Sequence, residues 1–142
     1  MTTAVHATRV FLAEDSSLIR TRIEALFEDS GFCLVGHAAT PAACIDAILA
    51  ARPDVVVLDV QLEGGTGLDV LKAVHPVAPE VRFIIFSNNS GPAWRKRYLA
   101  AGAEQFLDKS TEFRQLAQAV AGLGAAAGDQ SPPATAIRPI IA

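Results

Sequence analysis

The stretch VVVLDVQLEGGTG, residues 55–67, decides the fold. It opens with apolar residues only, Val55, Val56, Val57 and Leu58, and then places an acid, Asp59, directly at their end. A run with no polar face suits a strand covered on both sides, as the strands of parallel sheets are. Asp59 then stands at the rim of a core that disfavours charge.

Outward from this stretch, short strand-like runs alternate with segments of helical spacing. Residues 9–13 (RVFLA) read as a first strand, followed by a helix over 16–29 with Leu18, Ile19, Ile23, Leu26 and Phe27 on one face and Gly31 as its stop. Residues 32–38 suit a second strand, after which Thr40 and Pro41 supply an N-cap and a first-turn proline for a helix to about Ala51. The third strand is residues 54–59, and a helix follows over 67–74. Residues 81–86 form the fourth strand and 92–101 a helix that Gly102 ends, with a fifth strand over 104–107 and a closing helix over 110–123. Five strands, each followed by a helix, imply a doubly wound α/β domain with a parallel sheet covered on both faces.

A chain of 142 residues, 51% of them apolar, is enough for one core and too little for two ordinary domains. The expected organisation is an arm over 1–8, a domain over 9–123 and a flexible Ala/Gly/Pro-rich tail over 124–142, where Ile137, Ile140 and Ile141 offer at most a small docking motif. The formal charge of −3 gives no overall pull toward nucleic acid, so no direct DNA binding is expected. The apolar runs are too short to span a membrane and no signal-like leader opens the chain, which reads as cytoplasmic. Cys33 and Cys44 lack CxxC spacing and a nearby histidine, so both are expected as buried, inert thiols. His6, His37 and His75 make no ligand pattern.

Parallel connections are right-handed, which brings the carboxyl ends of all strands to one edge, where ligands bind in such sheets. The residues delivered there are Glu14 and Asp15, Asp59, Ser87, and Asp108 with Lys109. Two carboxylates about 5 Å apart repel by roughly 3 kcal/mol at an effective dielectric near 20. A divalent cation removes that repulsion, and an all-oxygen site with open water positions suits magnesium, held by Glu14, Asp15 and Asp59. With Lys109 beside it, Asp59 is then placed to accept a phosphoryl group as an acyl phosphate, and Ser87 to donate a hydroxyl to a phosphoryl oxygen. Each residue alone has a plainer explanation. A Glu-Asp pair before a helix is often only a cap, Lys109 a solvated lysine, Ser87 a turn residue and Phe106 core. The joint pattern outweighs these.

That pattern resembles the receiver domains of two-component response regulators. The resemblance rests on the acidic pair in FLAEDS, Asp59 in VVVLDV with Gly67 after it, Ser87 in IIFS, and AGAEQFLDK with Phe106 and Lys109, and it covers residues 9–123. It implies a flavodoxin-like sheet in the order 2-1-3-4-5. Asp59 is then the phosphoacceptor for a sensor histidine kinase or phosphotransfer protein in a phosphorelay. Glu14, Asp15, Asp59 and the backbone carbonyl of Gln61 are the Mg2+ ligands. Lys109 pairs with the phosphoryl group, Ser87 is the switch hydroxyl and Phe106 the aromatic that follows it. Residues 92–118 form the face that reports phosphorylation to a downstream protein target or to a second copy in a homodimer. Such a chain is no enzyme beyond its own phosphotransfer and dephosphorylation.

Three positions depart from the family's pattern: Glu63 and Ser110 stand where proline is usual, and Asn88 replaces a small residue after the switch hydroxyl, where it is expected to narrow access to Asp59. In WRKRY, residues 94–98, Trp94 and Tyr98 are spaced to pack inward beneath a solvated basic face; the sharper reading is a docking or dimer surface. Two other functions share these features. A degenerate receiver would bind partners without phosphorylation. A phosphatase of the haloacid dehalogenase type also uses a strand-end aspartate, but needs a second aspartate where this chain has Gln61.

Overall fold

The structure is a computed structural model that describes residues 7–128. Five parallel strands form the sheet: β1 (Arg9–Ala13), β2 (Cys33–Ala38), β3 (Val55–Leu58), β6 (Arg82–Ser87) and β7 (Gln105–Asp108). Two-residue strands β4 (Gln61–Leu62) and β5 (Gly65–Thr66) form a separate antiparallel hairpin after β3. The sheet order is β2-β1-β3-β6-β7, which is the expected 2-1-3-4-5 with the hairpin set aside. The helices are α1 (Ser17–Phe27), α2 (Pro41–Ala51), α3 (Gly67–Val74), α4 (Pro92–Ala100) and α5 (Gln115–Gly128).

Alternation along the strands divides the core into two layers. Val10, Leu12, Val55, Val57, Ile84, Phe86 and Leu107 point toward α1 and α5, where they meet Ile23, Phe27, Leu116 and Val120. Phe11, Val56, Leu58, Phe83, Ile85 and Phe106 point the other way, onto Cys44 and Ile48 of α2, Val70, Leu71 and Val74 of α3, and Tyr98 of α4. The middle strand, β3, is therefore apolar at every position.

Helix starts are set by side chains that take up free N–H groups. Ser16 accepts the Ile19 N–H, Thr40 accepts that of Ala43 ahead of Pro41, and Thr66 and Asp69 cap α3 reciprocally. Gly31 ends the α1 segment at φ +82°, a backbone region that side chains disfavour.

Several expectations require correction. The closing helix begins at Gln115 rather than 110, because Asp108 and Glu112 draw the backbone of this segment into turns: Asp108 Oδ1 accepts the Ser110 and Thr111 N–H groups and Glu112 Oε1 that of Asp108. The helix also runs on to Gly128, past the expected start of the tail at 124, while residues 1–6 of the arm and 129–142 of the tail lie outside the described residues. Cys44 is buried as expected, but Cys33 opens the edge strand β2 and is exposed. Tyr98 packs inward, whereas Trp94 is 38% exposed. Among the described residues no helix is long and apolar enough to cross a membrane.

Candidate functional site

The strand order reverses between β1 and β3, and the crevice at that reversal is where such sheets take ligands. Backbone bonds fix the acids on its two sides. The Glu14 N–H donates to Ala38 O at 3.1 Å and the Asp59 N–H to Ala13 O at 3.0 Å. Two strands from β3, the Lys109 N–H donates to Ser87 O at 3.1 Å, which locks the end of β7 to the end of β6.

These anchors bring Glu14, Asp15, Asp59 and Lys109 together. Ligand oxygens of the three acids all lie within 4.8 Å of one another. Lys109 Nζ bridges two of them, 2.6 Å from Glu14 Oε1 and 2.8 Å from Asp59 Oδ2. Glu14 and Asp59 are buried while Asp15 is exposed, so the cluster is closed on the core side and open to solvent on the other. Burial is the main reason that the Glu14 carboxyl stands above its ordinary value; the Lys109 hydrogen bond pulls it down and the Asp59 charge pushes it up again. Burial alone would lower Lys109, but the hydrogen bonds and charges of Asp59 and Glu14 overcome it and hold the ammonium above its usual range. Three carboxylates against one ammonium leave an excess of two negative charges, a donor set of oxygens suited to a hard divalent cation.

Ser87 ends β6, is 1% exposed, and its hydroxyl accepts the Asn89 N–H at 3.0 Å. Phe106 lies in β7, buried edge-on against Tyr98 with ring centroids 6.0 Å apart. Gln61 lies in β4, with its side chain exposed. Asp108 is the strand-end acid that does not join the cluster: it turns to Ser90, Ser110 and Thr111, and the Ser90 hydroxyl above all holds its carboxyl below the ordinary value.

The three departures each have a structural account. The Glu63 N–H donates to Ala39 O at 2.9 Å and the Ser110 N–H to Asp108 Oδ1 at 2.7 Å, bonds that a proline, lacking the N–H, would forfeit. The Lys109–Ser110 peptide is trans. Asn88 does not turn to Asp59: its Oδ1 accepts the Ser110 hydroxyl at 2.9 Å, so two of the unusual residues are partners.

Sequence reasoning missed two features. Gly67 packs its α-carbon against the backbone carbonyl of Asp59, where an added Cβ would lie 2.1 Å from the oxygen. Tyr98 Oη accepts the Leu68 N–H at 3.0 Å and so ties α4 to the first turn of α3. Gly67, eight residues after Asp59, is the trace the sequence carries of the first; nothing in the sequence marks the second. A separate open groove of about 280 Å³ between β7 and α5 is lined by Gln105, Leu107, Gln115, Gln118 and Ala119 and contains no acid, base or nucleophile, so the chemistry belongs to the strand-end cluster.

Residues 10–121 match the family described as the response regulator receiver domain. The DNA-binding transcriptional activator DevR/DosR of Mycobacterium tuberculosis is 31% identical over 118 residues, covering 82% of this chain and 54% of that protein. The response regulator GacA of Pseudomonas aeruginosa is 26% identical over 113 residues, covering 79% of this chain and 53% of that protein. The chain thus spans about half the length of these curated bacterial relatives. Among solved structures, a two-component response regulator of the LuxR family from Aurantimonas sp. superposes with a TM-score of 0.80 at 26% identity, over 85% of this chain and 87% of that one. With the sheet order, the strand-end acids and a match over most of the described residues in agreement, the chain belongs to the response regulator receiver domain family.

Proposed function

We propose that this receiver accepts a phosphoryl group on Asp59 from the phosphohistidine of a sensor kinase or phosphotransfer protein and thereby switches binding to a downstream protein. An Asp59 carboxylate oxygen forms the new P–O bond as the P–N bond of the donor breaks, and the electron pair returns to the imidazole nitrogen. The observation that carries this reading is the Lys109 ammonium held between Asp59 and Glu14 at 2.8 and 2.6 Å. A cation already seated on the acceptor oxygen is placed to neutralise charge on a group bonded there. Glu14, Asp15, Asp59 and the Gln61 backbone carbonyl would hold Mg2+; the three carboxylates fit it by charge and by oxygen chemistry. When bound, the ion offsets charge on the phosphoryl oxygens.

Ser87 donates its hydroxyl to a phosphoryl oxygen once it leaves the Asn89 N–H, and Phe106 follows it toward the β6 side of the pocket. The face formed by α4, β7 and α5 then carries the change to a partner or a second copy. Self-catalysed phosphotransfer and dephosphorylation are its only chemistry, and the site of action is the cytoplasm.

Incubation with acetyl phosphate and Mg2+, followed by intact mass measurement, tests the reading. One phosphoryl group is gained by the wild type and none by Asp59→Asn or by the wild type in excess chelator. A wild type that stays unmodified with Mg2+ present, while remaining folded, overturns it.

A further inference from the structure

Among the described residues the edge strand β7 has β6 as its sole strand neighbour, and its other side is tied by side chains. Arg95, from α4, donates to Phe106 O at 2.9 Å and to Ser90 O at 3.0 Å, pairs with Glu112 at 3.3 Å, and lies over the Phe106 ring at 5.2 Å. Glu112 Oε1 also accepts the Asp108 N–H at 2.8 Å. Asp108 in turn accepts the Ser90 hydroxyl, and Ser110 bonds Asn88. These bonds fasten residues 88–90, after β6, to residues 108–112, after β7. Within the fastened segment lies the Asn89 N–H that the Ser87 hydroxyl accepts.

We propose that Arg95 and Glu112 are positioning residues for the Ser87 hydroxyl. They latch residues 88–90 against the end of β7, and the latch opens before Ser87 can exchange the Asn89 N–H for a phosphoryl oxygen on Asp59. The inference rests on the reading of Asp59 as phosphoacceptor and adds a control set by side chains outside the acidic cluster. Three features support it. The planar guanidinium uses its fork on three partners at once, which a lysine cannot reproduce. The pair is partly shielded, with side chains 38% and 29% exposed, so it is less screened than a surface ion pair. The same guanidinium covers Phe106, so the ring and the loop are restrained by one group.

The test compares Arg95→Ala, Glu112→Ala and Arg95→Lys with Lys96→Ala, an exposed neighbour on α4. In unphosphorylated protein, amide hydrogen exchange at Asn89 is expected to be about tenfold faster in both alanine variants and in Arg95→Lys, and unchanged in Lys96→Ala. With acetyl phosphate and Mg2+, the same three variants take up the phosphoryl group several-fold faster than wild type. Should Arg95→Ala fail to fold, Asn88→Ala and Ser110→Ala cut the parallel strap between exposed residues and are expected to accelerate Asn89 exchange to a smaller extent. Asn89 exchange at the wild-type rate in Arg95→Ala and Glu112→Ala, or in the strap variants if those must stand in, overturns the latch. A wild type that takes up no phosphoryl group refutes the reading of Asp59, and the exchange measurement still decides the latch.

Discussion

Replacing Gly67 by alanine tests how tightly the phosphoacceptor loop is fitted to α3. A Cβ there would lie 2.1 Å from Asp59 O, 3.2 Å from Asp59 C and 3.1 Å from Leu58 Cγ. Real Cβ contacts essentially never fall below 3.0 Å, so loop and helix must separate by about 0.9 Å. Neither side is free to yield. The Asp59 N–H is held by Ala13 O at 3.0 Å, and the Gly67 N–H by Val60 O at 2.8 Å. Overpacking of this kind costs about 1–3 kcal/mol. For a domain of this size, each kcal/mol lowers Tm by about 4 °C, so a fall of about 4–12 °C is expected. A reacting group displaced by about 1 Å loses on the order of a hundredfold in rate, and phosphoryl uptake from acetyl phosphate should fall accordingly. Thermal unfolding and timed intact mass measure the two effects. Gly91→Ala, where a Cβ meets nothing within 4 Å, is the matched control. A Gly67→Ala protein with wild-type Tm and wild-type uptake would refute the argument that this contact positions Asp59.

Two further outcomes follow from burial. Tyr98 is the chain's single tyrosine; burial raises its phenol above the ordinary 10.0, against weaker lowering by the Leu68 N–H and Arg97. An unfolded tyrosine gives up its proton near the ordinary value while the folded one keeps it, so stability falls as pH rises through the window above 10.0, and the raised Lys109 acts in the same sense above 10.5. Ultraviolet tyrosinate absorbance should therefore rise together with loss of circular dichroism; ionisation of Tyr98 at its ordinary value in a folded protein would contradict this. Burial also pushes the Cys44 thiol up to about 11, whereas Cys33 is exposed. A thiol reagent at neutral pH should label Cys33 promptly and Cys44 only in denaturant; peptide mapping that finds Cys44 labelled in the native state would count against the described core.

Much of the fold was legible because its signals are local. Val55–Leu58 with Asp59 at its end gave the buried central strand and the rim acid together, and Thr40 with Pro41 gave the start of α2 to the residue. The acidic pair and Lys109 converge as their strand ends required. The start of α5 was not legible, since the turn over 108–112 depends on where Asp108 and Glu112 point, and helical periodicity is silent about that. The exposure of Cys33 depends on β2 being an edge, a property of strand order rather than of neighbours in sequence. Trp94 and Tyr98 have the same helical spacing to their surroundings, yet Tyr98 alone finds a backbone N–H to accept, that of Leu68, thirty residues away. Arg95 read as part of a solvated basic cluster, and only the folded loops reveal its partners.

The covered margin of β7 has a bearing on how these molecules coexist when crowded. A bare sheet margin is a template on which foreign strands can align, and repeated alignment yields polymers. Here the Phe106 carbonyl and the Asp108 amide are already occupied by Arg95 and Glu112 of the same chain. Two opposite charges, set against each other, thus hold backbone groups that a foreign strand would need, while the side chains of the face remain open to a partner.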